Sequence, residues 1–375
     1  MKKRVILLCT GIIIAIGILT VSYNYSSNTF VKDGVTYALT IDGTSVNSFP
    51  SKGMYRVDAS CNNATGKWLY DEWKLAIEDI GSDNVTCDVD FTTISQINLN
   101  DYIINLSGSE QGIGKIVNEN GYRYEGKDPN NYILFNNELW RIIGVFDEES
   151  HGQSGQNLVK IIRNEPIGAN VYSQPNYNDW TTSNLMNLLN EIYLNKQDGT
   201  DSEYCYINSD KVPGNCDYTV IGINDIYRPM IKEVTWHLGG HSTYSATADD
   251  FYTAERGTTV SSGRPTSWEG YIGLIYPSDY GYSVLESSCA RTTNLDVYDN
   301  DDCAAKSWIY GQGMEWTITP YSANSYSVYR FRSNGKLYTD SAYQNFVLRP
   351  TLYLDSNVYV IDGNGSITDP YIIAD

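Results

Sequence analysis

Beyond residue 30 the chain alternates short apolar runs with polar turns, the pattern of a protein built mainly from half-buried strands. Between Tyr132 and Arg163 the segments YILFNNELWRIIGVF and LVKIIR place three such runs in succession. Asn136-Asn137 falls where two pairing strands need a tight turn, so the spacing predicts three antiparallel strands at the centre of a main domain. Upstream, YALTIDG, MYRVDASC, WKLAIEDI and VTCDVDF alternate apolar and polar positions and predict a small β module over 31–95. Apolar density then falls, and 96–127 reads as a linker ahead of a main domain over 128–375. Three helices are expected there. Leu185, Leu188, Leu189 and Ile192 share a face within 180–194, capped by Thr181 or Thr182. Tyr227, Met230, Ile231, Val234 and Leu238 do so within 224–238, ended by Gly239-Gly240. A third, short helix covers 248–256. The last third returns to strands: YIGLIYPSDYGYSV, KSWIYGQGMEWTITP, a hairpin turning at Asn334-Gly335, and FVLRPTLYLDS, where Pro350 implies an edge or a kink. The class is α+β: a small β-sandwich-like module plus a larger mixed domain with an antiparallel sheet and two or three helices.

Residues 1–30 break this pattern. Lys2, Lys3 and Arg4 precede the apolar run VILLCTGIIIAIGILTV, about 25 Å long as a helix, with no further basic residue until Lys32. It reads as a signal anchor: one pass, amino terminus inside, membrane partnership through that helix, and the rest on the extracellular face. A cleaved leader, giving a secreted protein, is the alternative.

Six of the seven cysteines follow this run, as Cys61 and Cys87, Cys205 and Cys216, Cys289 and Cys303. Near-neighbour pairing into three disulfides is expected, the usage of an oxidising compartment. Cysteines flanking Trp68 and Trp73 resemble an immunoglobulin-like sandwich with a bridge across its core. With 45 acidic against 26 basic residues, the formal charge of −19 argues against a nucleic-acid partner. The 32 tyrosines suit β-rich domains with wet, adhesive surfaces.

Candidate chemistry is sparse. Trp308, Tyr310, Glu315, Trp316, Tyr321 and Tyr326 cluster flat rings beside a carboxylate, as a sugar-binding surface requires. Alternating aromatics on strands serve equally as cross-strand core pairs. Asp296, Asp299, Asp301 and Asp302 crowd one loop and offer the oxygens a calcium ion takes, although no EF-hand spacing is present. His237 and His241, with Asp249 or Asp250, form a weaker metal candidate, because glycines interrupt the helix they would need. No catalytic residue is assigned and no cofactor beyond that calcium: there is no nucleophile elbow, no CxxC and no phosphate loop.

The segments NENGYRYEGKDPNNYILFNNELWRIIGVF, SSGRPTSWEGYIGLIYPSDYGYSVLESSCARTTN and FVLRPTLYLDSNVYVIDGNGSITDPYII resemble uncharacterised surface proteins of gut-dwelling Gram-positive bacteria. More remotely, the main domain is similar to the C-type-lectin-like fold shared with formylglycine-generating enzymes. That resemblance implies early and late strands that meet and long loops that carry function. Together these point to an exported binding or adhesion protein without catalytic activity, its ligand a glycan or a protein. A surface polysaccharide hydrolase using a carboxylate pair and a structural envelope component are the alternatives.

Overall fold

A computed structural model describes residues 29–375 apart from 33, 71, 82, 83 and 300. The chain forms two compact units, the first ending at Gln96 and the second running Ile97–Asp375. The apolar run at 5–21, expected as an anchor, lies outside the described residues. No helix among those described is long and apolar enough to cross a membrane, so the expected membrane partnership is withdrawn.

The first unit holds β1 (Thr29–Lys32), β2 (Val35–Ile41), β3 (Thr44–Val46), β4 (Tyr55–Asn62), β5 (Thr65–Leu69), β6 (Lys74–Glu78) and β7 (Val85–Thr93). β1, β2, β7 and β4 lie in that order, with β3 also on β2, and β2 runs parallel to β7. Every second residue of β7 is buried, as the alternation in VTCDVDF requires. The β5–β6 hairpin supplies Trp68 and Trp73, whose rings meet edge-on at 5.2 Å, Trp68 also meeting Phe91 at 5.2 Å. Cys61 and Cys87 stand directly opposite on β4 and β7, with Cα atoms 4.1 Å apart. The bridge therefore links neighbours in one sheet rather than crossing between two, which corrects the immunoglobulin-like expectation.

The second unit opens with α1 (Leu99–Asn105), β8 (Ile113–Asn118) and β9 (Tyr122–Asp128). Those residues were expected as a linker; they contribute a helix and two strands, with Leu99, Ile103, Ile116 and Tyr124 in the main core. Then come β10 (Tyr132–Phe135), β11 (Glu138–Phe146), α2 (Glu148–His151), β12 (Leu158–Arg163) and β13 (Ala169–Val171). The three central strands are as the sequence predicts. Asn136 and Asn137, at φ 58° and 61°, form the two-residue turn, pairing Phe135 with Glu138.

Residues 180–193 are helical but broken into a 3-10 turn, α3 (Asn184–Asn187) and a π turn over Leu188–Tyr193. The cap is Ser183, whose Oγ accepts from Met186 N at 3.0 Å, rather than Thr181 or Thr182. Asn190 then bonds both backbone groups of Ile272. Residues 224–238, expected as a helix, give only a 3-10 turn at Arg228–Met230 and β14 (Val234–His237). Pro229 and the β-branched Val234 and Thr235 disfavour a continuous helix there, and β14 instead pairs with β15 (Ser267–Gly270). The expected short helix is α4 (Ala248–Glu255), closed by a Thr247–Asp250 capping box.

After β16 (Ile272–Gly273) the chain turns into α5 (Pro277–Tyr282), where the sequence suggested more strand; Pro277 is preset for a first helical turn. β17 (Trp316–Pro320), β18 (Ser327–Phe331) and β19 (Leu337–Ser341) form a three-stranded sheet. Their second hairpin turns over residues 332–336, with Gly335 alone at positive φ, so the loop is longer than the two residues expected. β20 (Asn345–Val347) pairs with β13, and β21 (Thr351–Leu354) sits between β16 and β12, not at an edge; Pro350 marks the switch between sheets. β22 (Tyr359–Asp362) and β23 (Ile372–Ala374) close the chain. The main sheet runs β16, β21, β12, β11, β9, β8, with β10 also on β11. The class is mixed α+β with strand predominating.

Cys205 bonds Cys216 and Cys289 bonds Cys303, completing the near-neighbour set. Three disulfides fit an extracellular or secreted protein.

Asn136 is buried, donating to Gly222 O at 3.1 Å and accepting from the Asn224 backbone and side chain at 2.8 Å. Asn136→Ala should lower unfolding free energy by about 2 kcal/mol, and Asn137→Gly should leave it unchanged or slightly higher. Urea titration of the two variants checks this.

Candidate functional site

β17 is buried along its whole length, so its one aromatic, Trp316, fills the interior. Trp316 is fully buried; its indole N–H donates to Asn170 O and its ring meets Phe346 at 4.7 Å. Trp308 is buried too, donating to Tyr124 O at 2.7 Å beneath the Arg141 guanidinium. Glu315 forms a buried two-pronged pair with Arg349, both contacts 2.9 Å. Tyr310 donates to Ser333 O, and with Glu315 it borders a recess with room for little beyond a water molecule. A sugar ring does not fit there. Tyr321 is half-buried against Tyr329. Tyr326 is 47% exposed, which separates it from the rest.

The four aspartates expected for calcium do not converge: no three His, Cys, Asp or Glu side chains among the described residues are grouped as a metal ion needs. Asp299 accepts from the Asp301 backbone, and Asp302 pairs with Lys306. His237 and His241 lie on a strand and the loop after it, not on one helix face; their ring nitrogens contact the Glu149 and Thr243 carbonyls.

Tyr326 belongs to a face built from three loops, 174–179, 261–264 and 321–327. Tyr177, on the first, is 48% exposed. Its neighbour Asn178 is buried and fastens the first loop to the third: its backbone N–H donates to Ser325 O at 3.0 Å. Its side-chain amide reaches the carbonyls of Tyr321, Asn324 and Ser327 at 3.0, 2.9 and 2.9 Å. Arg264 lays its guanidinium over the Tyr177 ring at 4.9 Å and donates to Ser325 O at 3.2 Å. Asn324 Oδ1 accepts from the backbone of Tyr326 and Ser327, fixing the third loop. Asn176 Oδ1 is buried and without a partner among the described residues. Tyr177 thus lies under a guanidinium that also bonds the loop carrying Tyr326, and Asn178 ties the two loops together. Of these residues, sequence reasoning found Tyr321 and Tyr326. Tyr177 and Arg264 were missed because their loops are distant in sequence; the only local signal was a lone aromatic within the turn-rich SQPNYND.

No family model, curated protein or solved structure matches the chain.

A second polar cluster is buried rather than exposed. Asp279 accepts from Lys160 Nζ at 2.7 Å and Arg123 at 2.8 Å. Burial works to raise its carboxyl, but the two cations override it and hold it at about 2. Burial lowers Lys160 to about 8. Glu255, bonded to the backbone and hydroxyl of Ser278, is pushed by burial up to about 7. Glu125 is likewise raised by burial to about 7, despite Arg291 at 2.6 Å.

For Glu125 and Glu255 the folded state binds protons more tightly than the unfolded one. Their contribution is complete below the ordinary carboxyl value and is lost as pH rises through about 7. Thermal melts should therefore show the melting temperature falling between about pH 5 and about pH 8, and the Glu125→Gln, Glu255→Gln double variant should flatten that slope.

Proposed function

We propose that this is an exported binding protein without catalytic activity, and that the face carrying Tyr177 and Tyr326 takes a glycan. The observation that carries the reading is the pair of exposed rings on loops fastened together by the buried Asn178. Phenol rings present a flat apolar face to the C–H side of a sugar and a hydroxyl to its rim, and they lose little conformational freedom on binding. Arg264 and Asn324 supply polar groups for sugar hydroxyls. A chain of charge −19 suits a neutral glycan better than a polyanionic one. The lectin-like architecture belongs to the same proposal. It is supported by β12, early in the second unit, pairing with β21 near the end, and by Ile133 lying beside Tyr371.

Tyr177→Ala and Tyr326→Ala, both at exposed positions, should each change stability by less than about 0.5 kcal/mol. Together they should weaken glycan binding at least about tenfold. A glycan array probed with the secreted portion, followed by calorimetry on any hit, tests this. Silence across neutral glycans, or undiminished binding by the double variant, rejects the reading.

A further inference from the structure

Lys160 stands mid-strand in β12 with its side chain 1% exposed, so its amine lies in the interior. Its Nζ lies 2.7 Å from Asp279 Oδ2, 119 residues further along the chain. Ring centroids of Tyr276, Trp236, Tyr353 and Phe146 surround Nζ at 4.2, 5.4, 5.5 and 5.9 Å. Asp279 is equally buried and held from three sides. Besides Lys160, Oδ1 accepts from Arg123 at 2.8 Å, and Oδ2 accepts from the Tyr276 backbone N–H at 3.3 Å. An amine and a carboxyl fixed against each other in a buried, aromatic-lined site are placed for condensation, since proximity replaces a bimolecular encounter.

We propose that Lys160 and Asp279 condense in the folded protein into an isopeptide bond, a covalent cross-link between β12 and the start of α5. A proton first passes from Nζ to Oδ2 along their hydrogen bond, leaving an amine and a carboxylic acid. The nitrogen lone pair then bonds Cγ while the carbonyl pair moves onto Oδ1, where the Arg123 guanidinium meets the developing charge. As Oδ1 returns its pair, the Cγ–Oδ2 bond breaks and Oδ2 leaves as water, taking a second proton from nitrogen. The amide keeps the third. Ammonium plus carboxylate becomes amide plus water, with no oxidant, reductant or cofactor.

Two features support the step beyond the distance. Burial lowers Lys160 to about 8, which narrows the uphill gap its proton must cross to reach a carboxyl that two cations hold at about 2. Condensation also removes two buried charges whose desolvation opposes folding. Arg123 keeps most of its contacts afterwards: Oδ1, the Glu119 and Asn120 carbonyls, and the faces of Phe146 and Tyr282 at 4.6 and 4.7 Å, while its Nη2 lacks a hydrogen-bond partner among the described residues before and after the step. Glu255 is a positioning residue here. By holding both the backbone N–H and the hydroxyl of Ser278, it sets where Asp279 enters α5.

The test is the intact mass of the full-length protein after reduction and alkylation, followed by proteolysis and fragment sequencing. The expected result is a mass lighter by one water and a branched peptide joining Lys160 to Asp279. Lys160→Arg keeps the charge but should show the unmodified mass, and Glu255→Gln should show a mixture whose cross-linked share grows with time. Wild-type protein at its unmodified mass overturns the proposal, as does a water loss mapped elsewhere. Because the wild-type measurement decides alone, a variant that fails to fold does not leave the question open.

Discussion

The second unit depends on one constraint: β12 is covered on both faces, so every one of its six residues is buried, a lysine among them. A charge in that position must be met by another or be removed. Asp279 meets it, and in doing so brings together elements far apart in the chain. Lys160 comes from β12, Arg123 from β9, and Asp279 from the first turn of α5. Glu255, at the end of α4, holds the residue before Asp279. Loss of Asp279 would leave both buried cations uncompensated, which is more destabilising than never having built the cluster.

Double coverage also explains why the aromatic-rich strands near the carboxy terminus carry no open site. Trp140, Trp180, Trp236 and Trp316 are all fully buried, and their indoles act as core volume. Buried tyrosines such as Tyr276 and Tyr280 keep their hydroxyls paired with the His237 and Gly335 carbonyls. Against that background Tyr177 and Tyr326 stand out as the most exposed tyrosines among the described residues, and Asn178 fastens together the loops that carry them.

What the sequence made legible was local. The Asn136-Asn137 turn, the three strands around it, the short helix α4 and the near-neighbour cysteines each follow from a few adjacent residues. At several other places the deciding partner is remote. Residues 224–238 carry a 3.6-residue apolar spacing, yet β14 within them is a strand because β15 offers it hydrogen bonds. Residues 97–127 look sparse in apolar groups, yet they form the far edge of the main sheet, where one apolar side per strand is enough. Trp308, Glu315 and Trp316 look like a ligand surface until the layer above them is counted. A period of two cannot distinguish a half-covered strand from a fully covered one when the outward residues are themselves aromatic or paired.

The exposed face differs from an ordinary loop surface in how its position is fixed. Asn178 is buried with its amide spread over three carbonyls of the 321–327 loop, and Asn324 secures that loop from within. Arg264 adds a third loop through a carbonyl bond and a ring face. Most of the ordering of these loops has therefore been completed during folding, and the segments that carry the two tyrosines are already joined. The buried, unpartnered Asn176 Oδ1 lies in the same loop as Tyr177. An acceptor left without a donor is destabilising in a closed protein.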